Sequence, residues 1–186
     1  MDGKSTDERP ANELKALAER LQALCLATGW TVGTAESCTG GLVADTLTDI
    51  AGSSGYVRGG IVAYADGLKV ALLGVPAELI AGHGAVSAQV ARAMATGARE
   101  RLGVTLAVSV TGIAGPDGGS EAKPVGLTYL GLAGPGGVEI RRFVWAGDRA
   151  ANKRASAAAA LDLLIAAAEA APSEPPEPAP AGRGAR

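Results

Sequence analysis

The chain has 186 residues, of which 47% are hydrophobic, enough apolar material for the core of one domain. A net charge of −2, with 17 basic side chains scattered among 19 acidic ones and only six aromatic rings, offers neither a phosphate-tracking surface nor base-stacking platforms, so nucleic acid is excluded as the expected ligand. No apolar run reaches the ~18 residues of a membrane span, and the polar first nine residues are no signal peptide, so a cytoplasmic protein without membrane contact is expected.

In chain order, residues 1–10 are charged and aperiodic and read as a disordered arm, followed by a single domain over 11–171 and a disordered Pro/Ala-rich tail over 172–186. Leu14, Leu17, Leu21, Leu24 and Cys25 recur at helical spacing over 13–28, and Gly29 supplies the stop. A short strand over 31–36 then enters Ser37-Cys38-Thr39-Gly40-Gly41, and a helix over 42–50 follows. Two glycines at a strand-to-helix turn let backbone N–H groups approach a ligand and aim the positive end of the helix at an anion.

Residues 56–64 read as a strand, Asp66 as the cap of a helix starting at Gly67, Pro76 as the start of a short helix, and Ser87 as the cap of a long helix to Leu102. The β-branched run 104–110 has the character of a central strand buried on both faces. It empties into a glycine-rich loop over 111–119, after which strands over 126–132 and 138–145 form a hairpin and Asp148 caps a final helix, 149–170. Helices interleaved with strands early, and a hairpin late, give a three-layer α/β/α sandwich with a mixed sheet.

The chemistry available is narrow. His83 is the sole histidine and the two cysteines, Cys25 and Cys38, form no ligand motif, so no metal, no disulfide and no cofactor are expected. A Ser-His-Asp arrangement could use only His83, which sits between glycines and reads better as a turn residue. A Ser-Lys pair needs no histidine, provided the lysine is desolvated so that its pKa falls from about 10.4 toward neutrality. Lys69, in a stretch otherwise apolar or small, is the candidate base. Ser37 is the candidate nucleophile, with Cys38 as a rival that has no base of its own, while Ser53 and Ser54 read as the start of a turn. The glycine turn and the loop over 111–119 sit after adjacent strand candidates and frame a crevice, but they match neither a P-loop nor a dinucleotide fingerprint. Arg149, at the start of the last helix, has the geometry to hold a phosphate or carboxylate bidentately.

Six stretches taken together resemble the CinA C-terminal-domain family, the PncC-type amidohydrolases that deamidate nicotinamide mononucleotide. They are Thr34-Ala35-Glu36-Ser37-Cys38-Thr39-Gly40-Gly41, Asp49-Ile50-Ala51-Gly52-Ser53-Ser54, Tyr64 five residues before Lys69, His83-Gly84-Ala85-Val86-Ser87, Gly112-Ile113-Ala114-Gly115-Pro116-Asp117-Gly118-Gly119, and Gly147-Asp148-Arg149. The resemblance implies an α/β/α fold, a homo-oligomer of two or more copies, and hydrolysis of nicotinamide mononucleotide to nicotinic acid mononucleotide and ammonia. It further implies Ser37, Ser54, Tyr64 and Lys69 as active-site positions, with Thr39, Gly40, Gly41, Thr111, Gly112, Gly115 and Arg149 contacting substrate. Between Tyr64 and Lys69 this chain reads Ala65-Asp66-Gly67-Leu68 where relatives usually read Ser-Asn-Glu-Ala. A non-catalytic nucleotide-binding or competence-related regulatory module is the competing expectation, because one fold carries many functions.

Overall fold

The computed structural model describes residues 11–170; the arm expected over 1–10 and the tail expected over 172–186 lie outside them. Five strands, β1 (Val32–Glu36), β2 (Val57–Val62), β3 (Leu106–Gly112), β4 (Leu127–Gly134) and β5 (Gly137–Val144), form one sheet in the order β2-β1-β3-β4-β5. β1 lies parallel to both β2 and β3, whereas β3–β4 and β4–β5 are antiparallel. This is the mixed sheet expected from the element order, and helices flank it on both faces.

On one face pack α2 (Leu42–Thr48) and α6 (Arg149–Glu169), with α1 (Ala11–Thr28) laid against α6. On the other, α5 (Ala88–Leu102) covers the sheet and carries α3 (Asp66–Leu73) and α4 (Ala77–His83) beside it. The strands' two-residue alternation separates the two cores. Val32, Leu106, Val108 and Val110 face α1, α2 and α6, while Ala35 and Ala107 join Met94, Ala98 and Leu73 on the α5 side. β3 is thus buried on both faces, as its unbroken aliphatic character requires.

Small residues set the layer spacing. α6 buries Ala155, Ala157, Ala158 and Ala160 against the sheet, and Gly131 on β4 lets α5 come so close that a Cβ there would stand 2.6 Å from the Ala91 carbonyl oxygen. Ser109 uses the same proximity to donate its hydroxyl to that carbonyl at 2.7 Å.

The connections matter for function. The β1-to-β2 crossover runs through α2 on one face, and the β2-to-β3 crossover runs through α3, α4 and α5 on the other. β1 and β3 are neighbours, so the chain leaves their carboxyl ends in opposite directions and a crevice opens there.

Several boundaries differ from expectation: β2 covers Val57–Val62 rather than 56–64, and β3 is shifted to Leu106–Gly112 from the expected 104–110. α2 ends at Thr48 with Asp49 as its C-cap, short of the expected 50. Ile50 is still buried beyond it. The hairpin turn is tighter than drawn, with Gly134 paired to Gly137 across two residues. Asp66 is the first residue of α3 rather than its cap; Ala65 holds the cap position without a side-chain bond, which leaves the Asp66 carboxylate free for another use. Ser87 and Asp148 do cap α5 and α6 as expected, accepting from Val90 N and Ala151 N.

Candidate active site

Where β1 ends, the chain is stitched to its neighbour before it turns. Ser37 N donates to the Val110 carbonyl of β3 at 2.9 Å, and Gly40 N returns to the Ser37 carbonyl at 3.0 Å. Gly40 and Gly41 have φ of 66° and 101°, a left-handed conformation that a Cβ would penalise.

The amino end of α2 is not open to a ligand, contrary to the expectation for this turn. Glu36 fills it: Oε2 accepts from Gly41 N and Val43 N, each at 3.0 Å, and Oε1 accepts from Ala44 N at 2.8 Å and from Thr34 Oγ1 at 3.2 Å. The side chain is fully buried. A carboxylate at a helix amino end is favoured by the dipole as well as by the unpaired N–H groups there.

Ser37 faces a cavity of about 270 Å³ at the carboxyl ends of β1, β2 and β3, which Tyr64, Asp66, Lys69, Thr111, Gly112, Gly115 and Arg149 also line. Lys69 reaches it from α3 with 1% of its side chain exposed. Its Nζ donates to the Tyr64 carbonyl at 3.0 Å and to Asp66 Oδ1 at 3.3 Å. An ammonium this deep is costly without such partners, and the uncapped start of α3 is what releases Asp66 to serve. Asp66 itself is 57% exposed, so water screens its side of the pair.

Across the mouth, Arg149 at the start of α6 donates Nη1 to the Gly115 carbonyl at 2.8 Å and Nη2 to Tyr64 Oη at 3.2 Å. Asn152, one turn along α6 and buried, donates to the Ala114 carbonyl at 3.1 Å and so ties the glycine-rich loop to α6. Thr111 donates to the Ala85 carbonyl at 2.8 Å. Gly112 is a close-approach position, because a Cβ there would meet the Leu127 carbonyl oxygen at 2.7 Å and Cys38 Sγ at 3.0 Å.

Cys38 lines the cavity beside Ser37. Burial pushes its thiol up to about 11; the Glu36 carboxylate adds to this, while backbone N–H groups and the Lys153 ammonium oppose it. At neutral pH it is a thiol, the unreactive form.

The remaining candidates lie elsewhere. Thr39 is buried with its hydroxyl unpartnered, Gly40 sits under Lys153 Nζ, and Gly41 spends its N–H on Glu36; the lining of the cavity includes none of the three. Ser54 belongs to a single 3-10 turn, Ser53–Gly55, that precedes β2. It is exposed before the start of β2, whereas Lys69 follows the strand's other end on α3, so the strand, roughly 16 Å long at about 3.3 Å per residue, lies between them. His83 is exposed at the end of α4 and is no part of the cavity. A larger groove of about 700 Å³ runs between α3, α4 and α5 on one face of the sheet. It is mostly apolar and lacks the lysine and serine that define the smaller cavity.

Sequence reasoning missed two residues. Glu36 was visible as an acidic residue at the end of a strand before a glycine turn, but its bond partners are up to eight residues ahead. Asp66 was read as a cap, which hid its pairing with Lys69.

The CinA C-terminal domain family model matches residues 14–168. The chain belongs to the CinA C-terminal domain family. A CinA-like protein of Geobacter sulfurreducens is 56% identical over 136 residues, covering 73% of this chain and 33% of that protein. One of Citrifermentans bemidjiense is 51% identical over 154 residues, covering 83% and 37%. The chain therefore spans about a third of the length of these relatives. Among solved structures, the competence/damage inducible protein CihA of Agrobacterium tumefaciens is similar with a TM-score of 0.81 at 44% identity, covering 83% of this chain and 94% of that one. A CinA superfamily protein of Escherichia coli gives 0.80 at 29% identity, covering 86% and 94%. The CinA fold thus places a buried lysine, a serine and an arginine around one cavity in this chain. No helix among the described residues is long and apolar enough to cross a membrane.

Proposed function

We propose that the cavity hydrolyses the carboxamide of a pyridine nucleotide, nicotinamide mononucleotide, to the acid and ammonia. The observation that carries the proposal is Lys69, whose nitrogen is buried in a cavity it shares with Ser37. A lysine sequestered from water, beside a hydroxyl at a strand end, is the arrangement that lets an amine serve as a base toward an alcohol.

In the proposed reaction Ser37 Oγ adds to the carboxamide carbon as its proton passes to Lys69 Nζ. The C–N bond then breaks, and the same proton leaves with ammonia. Water attacks the resulting acyl-serine, again losing a proton to Lys69, and the serine is restored. With the amino end of α2 closed by Glu36, the guanidinium of Arg149, which lines the cavity and donates to Tyr64 Oη, is the group proposed to take the anionic part of the nucleotide. Incubating the protein with nicotinamide mononucleotide and measuring ammonia tests this; release that persists in Lys69→Met and Ser37→Ala defeats it.

A second reading has its own observation. The Lys69 ammonium is held by Asp66 and a carbonyl rather than by the Ser37 hydroxyl, and the solved relatives carry names that speak of competence and damage, not of a reaction. A site of this kind could bind a nucleotide as a signal without turning it over. Binding of nicotinamide mononucleotide by calorimetry, with no ammonia released, favours this regulatory reading.

The proposal extends to assembly. Five of the seven exposed large hydrophobic residues among those described, Val62, Tyr64, Leu68, Val70 and Leu72, lie on the edge strand β2, on α3 or on the link between them. An apolar patch on an open strand edge invites a second copy, and sedimentation of Leu68→Glu against wild type tests it.

A further inference from the structure

We infer that Glu36 is a positioning residue for the nucleophile, acting through the turn that carries Ser37; the inference rests on the reading of Ser37 as nucleophile. Four donors converge on its two carboxylate oxygens, three of them backbone N–H groups at the start of α2 and the fourth the Thr34 hydroxyl two residues upstream on β1. Residues 37–40 therefore form the short arc of a closed loop, anchored at Glu36 by the strand and at Gly41, Val43 and Ala44 by the same residue's side chain. The arc is also pinned from the flank by Ser37 N to the Val110 carbonyl.

Ser37 itself has no side-chain anchor in the described hydrogen bonds, so its position is set by the backbone of the arc. That backbone is held by Glu36. A carboxylate is a pure acceptor and matches four donors; a carboxamide with its N–H₂ at the Oε1 position meets the Ala44 N–H donor to donor and loses that bond, while the Thr34 hydroxyl can turn to accept. The arc would then be free to shift, and a displacement of about 1 Å at a reacting atom costs on the order of a hundredfold in rate. Arg149, proposed to hold substrate, is anchored on α6 and to the Gly115 carbonyl rather than to the arc, which separates placement of the nucleophile from substrate binding.

The experiment compares wild type, Glu36→Gln and Thr34→Val by steady-state kinetics on nicotinamide mononucleotide and by amide hydrogen exchange. Glu36→Gln is expected to lower kcat about a hundredfold with KM unchanged, and to speed exchange at residues 38–41 while α5 and α6 keep wild-type protection. Thr34→Val removes a single donor from a buried isosteric site. It is expected to show the same pattern in smaller measure, and it carries the test should Glu36→Gln fail to fold. Wild-type kcat and exchange in the folded variants overturn the inference, as does a loss spread equally over kcat, KM and the exchange of every helix, which marks Glu36 as merely structural. Should the wild-type protein release no ammonia, the proposed function fails on its own; exchange at 38–41 then decides whether Glu36 fixes the arc.

Discussion

Two serine-bearing turns of this protein read alike in sequence and are treated in opposite ways by the fold. Ser37 follows β1, sits at the carboxyl ends of three strands and is 8% exposed. Its turn is bonded to a neighbouring strand and underpinned by a buried carboxylate. Ser54 precedes β2, is exposed, and belongs to a 3-10 turn closed by backbone bonds from Gly55 N to Gly52 O and Tyr56 N to Ser53 O. A serine at a glycine-containing turn is thus not a site by composition. What sets Ser37 apart is that the sheet's topology brings it to the end where crossovers part, and that Lys69 reaches the same space from α3.

The sharpest way to break this contrast is to remove the cation. Lys69→Met keeps the length and the apolar stem and leaves Asp66 free in solvent, so the fold should survive. Ammonia release is expected to fall by about 10³-fold or more, the scale of losing a base and its proton. Ser37→Ala should match it, and the double variant should be no worse than either single one, because residues that act as a unit are not additive. Losses that multiply in the double variant show that Lys69 and Ser37 act on separate steps.

A second prediction concerns how tightly the Ser37 end is packed. Gly112→Ala places a methyl against the Leu127 carbonyl and the Cys38 sulfur, and with backbone on one side it cannot be absorbed by a rotamer change. A loss of about 1–3 kcal/mol is expected in denaturant unfolding, the usual cost of overpacking. A neutral result means that the cavity floor yields more readily than its distances indicate.

The architecture was largely legible, and the reason is periodicity. The aliphatic run that became β3, the heptad-like leucines of α1 and the Asp148 and Ser87 caps are local signals that tertiary packing reinforced. Lys69 was legible as a candidate because it is a charge in an apolar stretch. The use of the α2 amino end was not. Local chemistry says that such an end binds an anion, and the anion is the chain's own Glu36, folded back over a turn. Nor was the separation of Ser54 from Lys69, since the two lie fifteen residues apart and β2 carries them to opposite ends of the sheet. Sequence proximity within a motif set said nothing about which end of a strand each residue occupies.

A third prediction uses the buried acids of the α1 side. Burial pushes Cys25 and Tyr56 each up to about 12 and Cys38 up to about 11, from ordinary values of 9.0 for the thiols and 10.0 for the phenol. Above pH 9 the unfolded chain ionises these groups and the folded one does not, so the unfolded state binds fewer protons and stability falls as pH rises. Their contribution is fully present below about 9 and is lost progressively toward about 12. Thermal melts from pH 7 to 11 should show a steeper alkaline decline for wild type than for Cys25→Ala compared with its own neutral value; parallel curves would refute the burial account of that thiol.

The smallest expected effect completes the contrast. Ser54→Ala alters an exposed hydroxyl that makes no side-chain hydrogen bond among those described, so stability should change by less than about 0.5 kcal/mol and kcat should remain that of wild type. Ser54 precedes β2 and Lys69 sits on α3 beyond the strand's other end, so within one chain the folded strand keeps this hydroxyl away from Lys69. A collapse of kcat in Ser54→Ala therefore has one structural meaning: the Ser54 that matters comes from another copy, across the open β2 edge. Mixing inactive Ser54→Ala with inactive Lys69→Met would then restore activity in the mixed assembly. A mixture that stays as inactive as its parts returns the catalytic role to groups within the single chain.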